Sequence, residues 1–167
     1  MKKIALLFLV VIFSFVPNLF ADNNKKIKRI SEGQQNAKIT IITYESLTCS
    51  HCADFHNNVY PELKAEFIDT GLVRIEFRHF PLDLAALNAS KITQCINDGN
   101  SNLMHFLFSN QQKWVKGKNI EDLNKNLKNL INDEKVNLDF KTCIDDKVVE
   151  DFILNDRIDG VKKFEVN

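Results

Sequence analysis

The chain has 167 residues, of which 44% are hydrophobic and 26% are charged, enough apolar material for the core of one globular domain. Lys plus Arg and Asp plus Glu both number 22, so the formal net charge is zero. This balance gives no electrostatic basis for binding nucleic acid, and no nucleic-acid partner is expected.

The first 21 residues have the layout of a secretory signal. Lys2 and Lys3 form a positive start, residues 4–16 are almost all apolar, and Ala21 is a small residue at the end. The pattern predicts a signal peptide cleaved after Ala21 and a mature chain that works in the periplasm. An uncleaved anchor is the alternative, but a membrane span needs about 20 apolar residues and this run is shorter.

Two β-strands are predicted in the first half of the mature chain. Residues 37–46 are rich in β-branched and aromatic side chains, which favours a buried strand. Residues 72–80 alternate between the apolar Val73, Ile75 and Phe77 and the charged Arg74, Glu76 and Arg78. This second run is therefore predicted as a strand with one face toward the core.

The segment between these strands is predicted to be a helix from Cys49 to about Thr70, kinked at Pro61. Its core-facing side is marked by residues at helical spacing, namely His56, Val59, Leu63 and Phe67. Because a long crossover joins the two strands, they are expected to be parallel, with a right-handed connection.

Helices are predicted from Asp83 to about Asn155. Asp83 can cap the first of them, and Asn119 with Asp122 has the pattern of another cap. A further helix is expected to begin near Asn137 and to contain Cys143. The apolar stripes in this region are interpreted as core.

The Cys49-Ser50-His51-Cys52 motif at the start of the first helix favours thiol chemistry. A thiolate is the species that attacks a disulfide, and unpaired N–H groups at a helix start stabilise it. His51, when protonated, favours the Cys49 thiolate further. Cys52, one helical turn on, is expected to be the shielded partner on the face that continues through Val59 and Leu63.

Two other interpretations of the motif remain open. A zinc site would need a second cysteine pair at matching spacing, but Cys95 and Cys143 are single. A purely structural disulfide between Cys49 and Cys52 would close so small a loop that it would add little rigidity. A redox-active pair is favoured over both, and no metal or cofactor is expected.

Cys95 and Cys143 both fall in predicted helices. Export favours disulfides, because they persist outside the reducing cytosol. The leading hypothesis is a structural disulfide between them, and two buried free thiols are the alternative.

The motif and its flanks resemble the DsbA-type disulfide oxidoreductases of the thioredoxin-like superfamily. The resemblance is carried by a signal peptide, the run from Ser46 to Cys52 with Phe55-His56 after it, and residues 78–82, Arg-His-Phe-Pro-Leu. It implies an α/β thioredoxin-like fold over residues 22–167, with a helical insertion at about 83–155. The cysteines at 95 and 143 resemble the extra pair of an alpha-proteobacterial branch.

The resemblance also implies site residues and partners. Cys49 would be the nucleophile, Cys52 its resolving partner and His51 the stabiliser of the thiolate. The substrates would be reduced exported proteins, and a membrane redox partner would reoxidise the pair. The direction of exchange is not fixed by the motif, so a reductase or isomerase of the same fold is an alternative.

The chain departs from the family pattern at its end. Family members continue past the segment that resembles residues 159–167 into a Thr-Pro turn with a cis proline, a strand hairpin and a final helix. None of Pro17, Pro61 and Pro81 can fill that position. The expectation is therefore a fold that lacks the hairpin and final helix, with an inactive truncated remnant as the alternative function.

Overall fold

A computed structural model of the protein describes residues 26–166. The predicted signal peptide lies outside the described residues. Within residues 26–166, no helix has the length and apolar character needed to cross a membrane.

The described residues form a three-stranded sheet flanked by helices. Its strands are β1 (Ile30–Glu32), β2 (Ile39–Glu45) and β3 (Val73–His79), in the order β1-β3-β2. β2 runs parallel to β3, and β1 runs antiparallel to it. The predicted parallel pairing is confirmed, and it brings the carboxyl end of β2 beside that of β3.

β2 is less buried than the sequence indicated. Ile39 is 57% exposed and Ile42 is 38% exposed. Among residues 26–166, β2 pairs with β3 alone, so it forms one edge of the sheet. An apolar, β-branched run favours a strand, but it does not say whether another element covers both faces.

β3 is the central strand, and its alternation is confirmed. Val73, Ile75 and Phe77 are 5% exposed or less and belong to the hydrophobic core. On the other face, Glu76 accepts hydrogen bonds from Arg74 and Arg78. The charged face is therefore satisfied within the sheet.

A helical run connects β2 to β3 and contains two π-helical segments. Its parts are α1 (Ser50–Asp54), the first π segment (Phe55–Val59), α2 (Tyr60–Leu63) and the second π segment (Lys64–Ile68). Pro61 has no N–H and crowds the carbonyl four residues before it, which favours a wider turn just ahead of it. The predicted kink at Pro61 thus takes the form of a π-helical turn.

The predicted core-facing side of this run is wrong at two positions. Val59 is 54% exposed and Phe67 is 42% exposed, whereas Tyr60 and Ile68 are buried. A π turn holds more residues than an α turn, so each residue advances less around the helix axis. The side chain that faces the core after each π segment is therefore the next residue along the chain, Tyr60 in place of Val59 and Ile68 in place of Phe67.

Six helices follow β3. They are α3 (Leu84–Cys95), α4 (Asn102–Ser109), α5 (Gln111–Trp114), α6 (Ile120–Asp133), α7 (Phe140–Asp145) and α8 (Lys147–Phe164). The Asp83 side chain accepts from Ala86 N at 2.7 Å, and Asn119 accepts from Asp122 N at 2.9 Å. Both predicted caps are confirmed.

The helical region extends further than predicted. The sequence pattern predicts that the helices end near Asn155, whereas α8 continues to Phe164. Asp146 caps α8 by accepting from the N–H groups of Val148 and Val149, each at 3.0 Å. Gly160 lies within α8 at a close approach to the sheet, since a Cβ there would stand 2.8 Å from Cε1 of Tyr44.

α7 begins later than the predicted start near Asn137. The Asp139 side chain accepts from Thr142 N at 2.7 Å and caps a helix that starts at Phe140. A disulfide joins Cys143 in α7 to Cys95 at the end of α3, with an S–S distance of 2.00 Å. α3 also packs against α6 and α8, so it is central to the helical region.

Candidate active site

The Cys49-Ser50-His51-Cys52 motif lies where the chain leaves β2 and enters α1. Cys49 is the N-cap residue of α1, with extended backbone angles, and its carbonyl accepts from Ala53 N at 3.1 Å. His51 and Cys52 follow in the first turn. The three predicted catalytic residues therefore meet at the start of a helical run, as the sequence indicated.

The two thiols of the motif have different surroundings. Both are free, and each is half-buried, while the intervening Ser50 and His51 are exposed. Cys52 packs against the hydrophobic core. Burial raises the pKa of Cys52 to about 12, the Ser46 N–H opposes this, and Cys49 and the charge of Glu45 add to it. Cys52 is therefore a neutral thiol near pH 7.

A buried glutamine holds the segment before the helix. Nε2 of Gln111, in α5, donates to Leu47 O at 2.9 Å and to Cys49 O at 3.0 Å. Gln111 is 5% exposed. Nothing in the sequence points to Gln111, because 62 residues separate it from Cys49 and helical periodicity carries no sign of that contact.

Hydroxyl groups link the same segment to the start of α3. Thr48 Oγ1 lies 3.2 Å from Ser46 Oγ and donates to Asp83 Oδ2 at 2.8 Å. The other carboxylate oxygen of Asp83 caps α3. One side chain thus anchors both the motif loop and the first helix after β3.

An open cavity of about 330 Å³ lies beside Cys52. Its walls come from the end of β2 and from the first helical turns, namely Thr43, Tyr44, Glu45, His51, Cys52 and Phe55. Two aromatic rings and a carboxyl group therefore share this space with the thiol. The cavity gives a small group access to the motif from the sheet side.

Three histidines lie outside the motif, at positions 56, 79 and 105. His79 is 3% exposed at the end of β3, and burial lowers its pKa to about 4, opposed by a hydrogen bond with Gln94. His56 is 5% exposed, and its ring nitrogens contact Glu45 and His105. Within residues 26–166, no group of three or more His, Cys, Asp or Glu side chains is arranged to hold a metal ion.

The thioredoxin family profile matches residues 25–167. A Rickettsia bellii protein with the provisional name protein-disulfide oxidoreductase is 32% identical over 74% of this chain and 48% of its own length. Disulfide bond formation protein D of Bacillus subtilis is 26% identical over 75% of this chain and 61% of its own length. The chain spans about half the length of the curated Rickettsia bellii and Rickettsia typhi relatives that it matches.

The fold is also similar to a solved structure. The crystal structure of Wolbachia pipientis alpha-DsbA1 superimposes with a TM-score of 0.76 and 34% identity, over 83% of this chain and 70% of that one. The chain therefore belongs to the thioredoxin family and, within it, to the DsbA-type proteins.

Proposed function

We propose that this chain carries out thiol-disulfide exchange through Cys49 and Cys52 and forms disulfide bonds in exported proteins. The observation that carries the proposal is the asymmetric thiol pair at a helix start. Cys49 lies at the N-cap, and Cys52 packs against the core and has a raised pKa. The names of the relatives from Rickettsia bellii and Bacillus subtilis support the same activity.

The exchange begins with the pair oxidised. A substrate thiolate attacks Cys49 Sγ, a substrate–Cys49 disulfide forms, and Cys52 leaves with the electron pair and is then protonated. A second substrate thiolate attacks the substrate sulfur, which releases the substrate disulfide and leaves Cys49 as a thiolate. The substrate loses two electrons and the cysteine pair gains them.

Cys49 and His51 have distinct parts in this cycle. The backbone N–H groups at the start of α1 favour a thiolate at Cys49, and the exposed His51 side chain does so when it is protonated. A stabilised thiolate is a good leaving group, so the geometry favours oxidation of the substrate. The half-buried Cys52, which packs against the core, serves as the resolving thiol.

The proposal extends to the location of the activity and to its partners. Residues 1–21 would direct the chain to the periplasm, where residues 22–167 would act as one thioredoxin-like domain with a helical insertion. The substrates would be reduced exported proteins. Because each cycle leaves two thiols, a membrane redox partner that withdraws two electrons would complete the turnover.

The test is oxidation of a reduced model peptide with two cysteines by the purified, oxidised protein. Peptide disulfide should form in proportion to the protein, and Cys49→Ser should abolish it. Cys52→Ser should trap a peptide–Cys49 mixed disulfide, detected by mass spectrometry under non-reducing conditions. Asn58→Ala, at an exposed position of the first π segment, is the control and should keep the wild-type rate. Absence of peptide oxidation by the folded wild-type protein would reject the function.

A further inference from the structure

The outer edge of β2 is open to a further strand. In the described part of the chain, β2 pairs with β3 alone. Phe80 N donates to Glu45 O at 2.7 Å, so the backbone groups of Glu45 point toward β3. Because backbone groups alternate in direction along a strand, the N–H and C=O groups of Thr40, Ile42 and Tyr44 point away from β3. These three residues offer hydrogen-bond donors and acceptors along the open edge.

Apolar side chains flank the open edge on both faces of the sheet. Ile39 and Ile42 point to opposite faces and are 57% and 38% exposed. Phe164, at the end of α8, is 54% exposed, and its ring centroid lies 5.9 Å from that of Tyr44. A strand added at this edge would therefore bury apolar surface as well as form backbone hydrogen bonds.

β2 lacks the features that usually prevent pairing at an exposed edge. Native edge strands carry lysine, proline or a bulge for this purpose. The seven residues of β2 include neither lysine nor proline, residues 39–43 are all β-branched, and the register with β3 is continuous. Glu45 is the one charged residue of β2, but it is 7% exposed and its Oε2 lies 2.6 Å from His56 Nε2. The edge is therefore suited to pairing with another strand.

The open edge ends at the cavity beside Cys52. The last three residues of β2, which are Thr43, Tyr44 and Glu45, line this cavity together with Cys52. Thr43 Oγ1 and Glu45 Oε1 are buried and have no hydrogen-bond partner among the described residues. Buried polar atoms are nearly always paired, so these two oxygens indicate a space that a hydrogen-bonding group enters. A chain lying along the edge would reach the thiol pair through this space.

The continuity of edge and cavity identifies the occupant as the substrate chain. In the exchange, a substrate sulfur bonds to Cys49 Sγ, and the substrate chain on one side of that sulfur can lie along the edge. β2 runs toward the motif, so a chain antiparallel to it starts at the motif and runs back toward Ile39. Antiparallel pairing is the more stable kind per residue, and it places the residues after the substrate cysteine beside β2.

We propose that β2 binds the substrate segment that follows the reacting cysteine, as an added antiparallel strand. The proposal rests on the exchange function above and specifies its substrates. They are reduced chains in which the cysteine is followed by about seven β-branched or aromatic residues, the length of β2. Backbone hydrogen bonds to the edge supply affinity, and side chains that pack on Ile39 and Ile42 supply selectivity.

Binding is measured without exchange, so that the result does not depend on activity. The probe is a peptide in which serine replaces the cysteine and is followed by alternating threonine and valine. It is titrated into the oxidised protein by isothermal calorimetry. In the reversed peptide the same residues precede the serine. The forward peptide should bind about tenfold more tightly than the reversed one, a difference of one or two backbone hydrogen bonds.

N-Methylation of the forward peptide distinguishes strand pairing from apolar contact. Methyl groups on alternate backbone nitrogens face either toward β2 or away from it, depending on which of the two alternate sets is methylated. One set should weaken binding about tenfold or more, because it removes donors to the edge. The other set should leave the affinity within about twofold. Equal effects of the two sets would overturn the proposal.

Ile42→Pro removes one donor from the protein side of the contact. The N–H of Ile42 points away from β3, and proline is accepted at such positions of edge strands, so the pairing with β3 should remain. The affinity for the forward peptide should fall about tenfold. Ile42→Val keeps the N–H and a β-branched side chain, and this matched control should retain binding. Urea unfolding checks the fold of both variants, and if Ile42→Pro does not fold, the N-methylated peptides decide with the wild-type protein.

The remaining outcomes separate this site from the function. Absence of binding by the forward peptide, or equal binding of the forward and reversed peptides, would overturn the proposal. A wild-type dimer in sedimentation velocity that Ile42→Pro converts to a monomer would also overturn it, because a second copy would then occupy the edge. Directional binding without oxidation of a cysteine peptide would reject the function and keep the strand site. Equal oxidation rates for forward and reversed cysteine peptides would keep the function and reject the site.

Discussion

Burial is the main cause of the shifted pKa values of several single residues in this protein. Cys52 and His79 are both shielded, so the neutral form is favoured in each: the pKa of the thiol rises to about 12 and that of the imidazole falls to about 4. Asp156, in α8, is 2% exposed, and burial raises its pKa although Arg29 opposes this. Each of these groups makes the stability or reactivity of the fold depend on pH.

His79 should make the protein less stable in mild acid. The pKa of His79 is about 4 in the folded protein and 6.5 in the unfolded chain. Between pH 4 and pH 6.5 the unfolded state therefore binds more protons than the folded state. The effect of His79 is absent above pH 6.5, and stability falls by up to about 1.4 kcal/mol per pH unit as the pH drops toward 4. Urea unfolding at pH 7, 6 and 5 gives the change in the free energy of unfolding with pH, and His79→Gln should remove the part of this change that is due to His79. His51→Gln, at an exposed position, is the control and should show the same pH dependence as the wild type. The prediction would be contradicted if His79→Gln and the wild type lost stability equally as the pH falls.

At the scale of elements, two close contacts decide how the helices meet the sheet and the motif. α5 reaches the motif through Gln111, whose side chain satisfies two backbone carbonyls. α8 meets β2 at Gly160, against the ring of Tyr44. Both contacts join segments that are far apart in the chain.

Gln111→Leu should weaken both the fold and the motif. The substitution keeps the volume but removes the donor to the carbonyls of Leu47 and Cys49, which should lower the free energy of unfolding by about 1–3 kcal/mol. The rate of peptide oxidation should also fall, because the loop before Cys49 loses its anchor. Gln112→Leu, at the exposed neighbouring position, provides the comparison and should change neither quantity. A Gln111→Leu protein as stable as the wild type would show that the anchor is dispensable.

Gly160→Ala should destabilise the protein even though alanine is the better helix former. The added Cβ would lie 2.8 Å from Cε1 and 2.9 Å from Cδ1 of Tyr44. We expect a net loss of about 1–3 kcal/mol, since the overpacking outweighs the gain of about 1 kcal/mol in helix propensity. In a Tyr44→Ala background the same change should stabilise the protein, as urea unfolding would show. Val161→Ala, at an exposed position of α8, should be nearly neutral.

Across the whole molecule, ionic contacts hold the helical region to the sheet, and a disulfide joins two helices within that region. Arg29, just before β1, places Nη1 2.6 Å from Asp156 Oδ1 in α8 and Nε 3.5 Å from Glu76 Oε1 in β3. Its guanidinium also lies over the ring of Phe152, 5.0 Å from the centroid. The beginning and the end of the described chain thus meet on the charged face of the sheet.

Replacing both Cys95 and Cys143 by alanine should lower stability substantially. Their disulfide spans a sequence separation of 48 residues, and closing a loop of that size should stabilise the fold by about 4 kcal/mol in the chain-entropy model. The midpoint of urea unfolding should fall accordingly, while peptide oxidation below the transition should persist. A loss under about 1 kcal/mol would indicate that the unfolded chain without the disulfide keeps residual structure.

Local sequence pattern was sufficient to predict the features that depend on neighbours in the chain. The motif at a helix start, the alternation of β3 and the caps at Asp83 and Asn119 all follow from local pattern, because side-chain direction and capping are set within a few residues. The parallel pairing followed from the length of the connection. These features indicated a parallel strand pair, a helical region and the thiol pair, whereas the thioredoxin-like fold was implied by the resemblance of the motif and its flanks to the DsbA-type proteins.

The residues that surround the thiol pair are set by contacts between distant parts of the chain, which the sequence pattern does not show. The π segments shifted the buried side of the run toward Tyr60 and Ile68, and the edge position of β2 left Ile39 exposed. Gln111 contacts residues 62 and 64 positions away, and His105 contacts Glu32 across 73 positions. Periodicity records only which side of an element is apolar, so it cannot reveal polar partners that meet across the core.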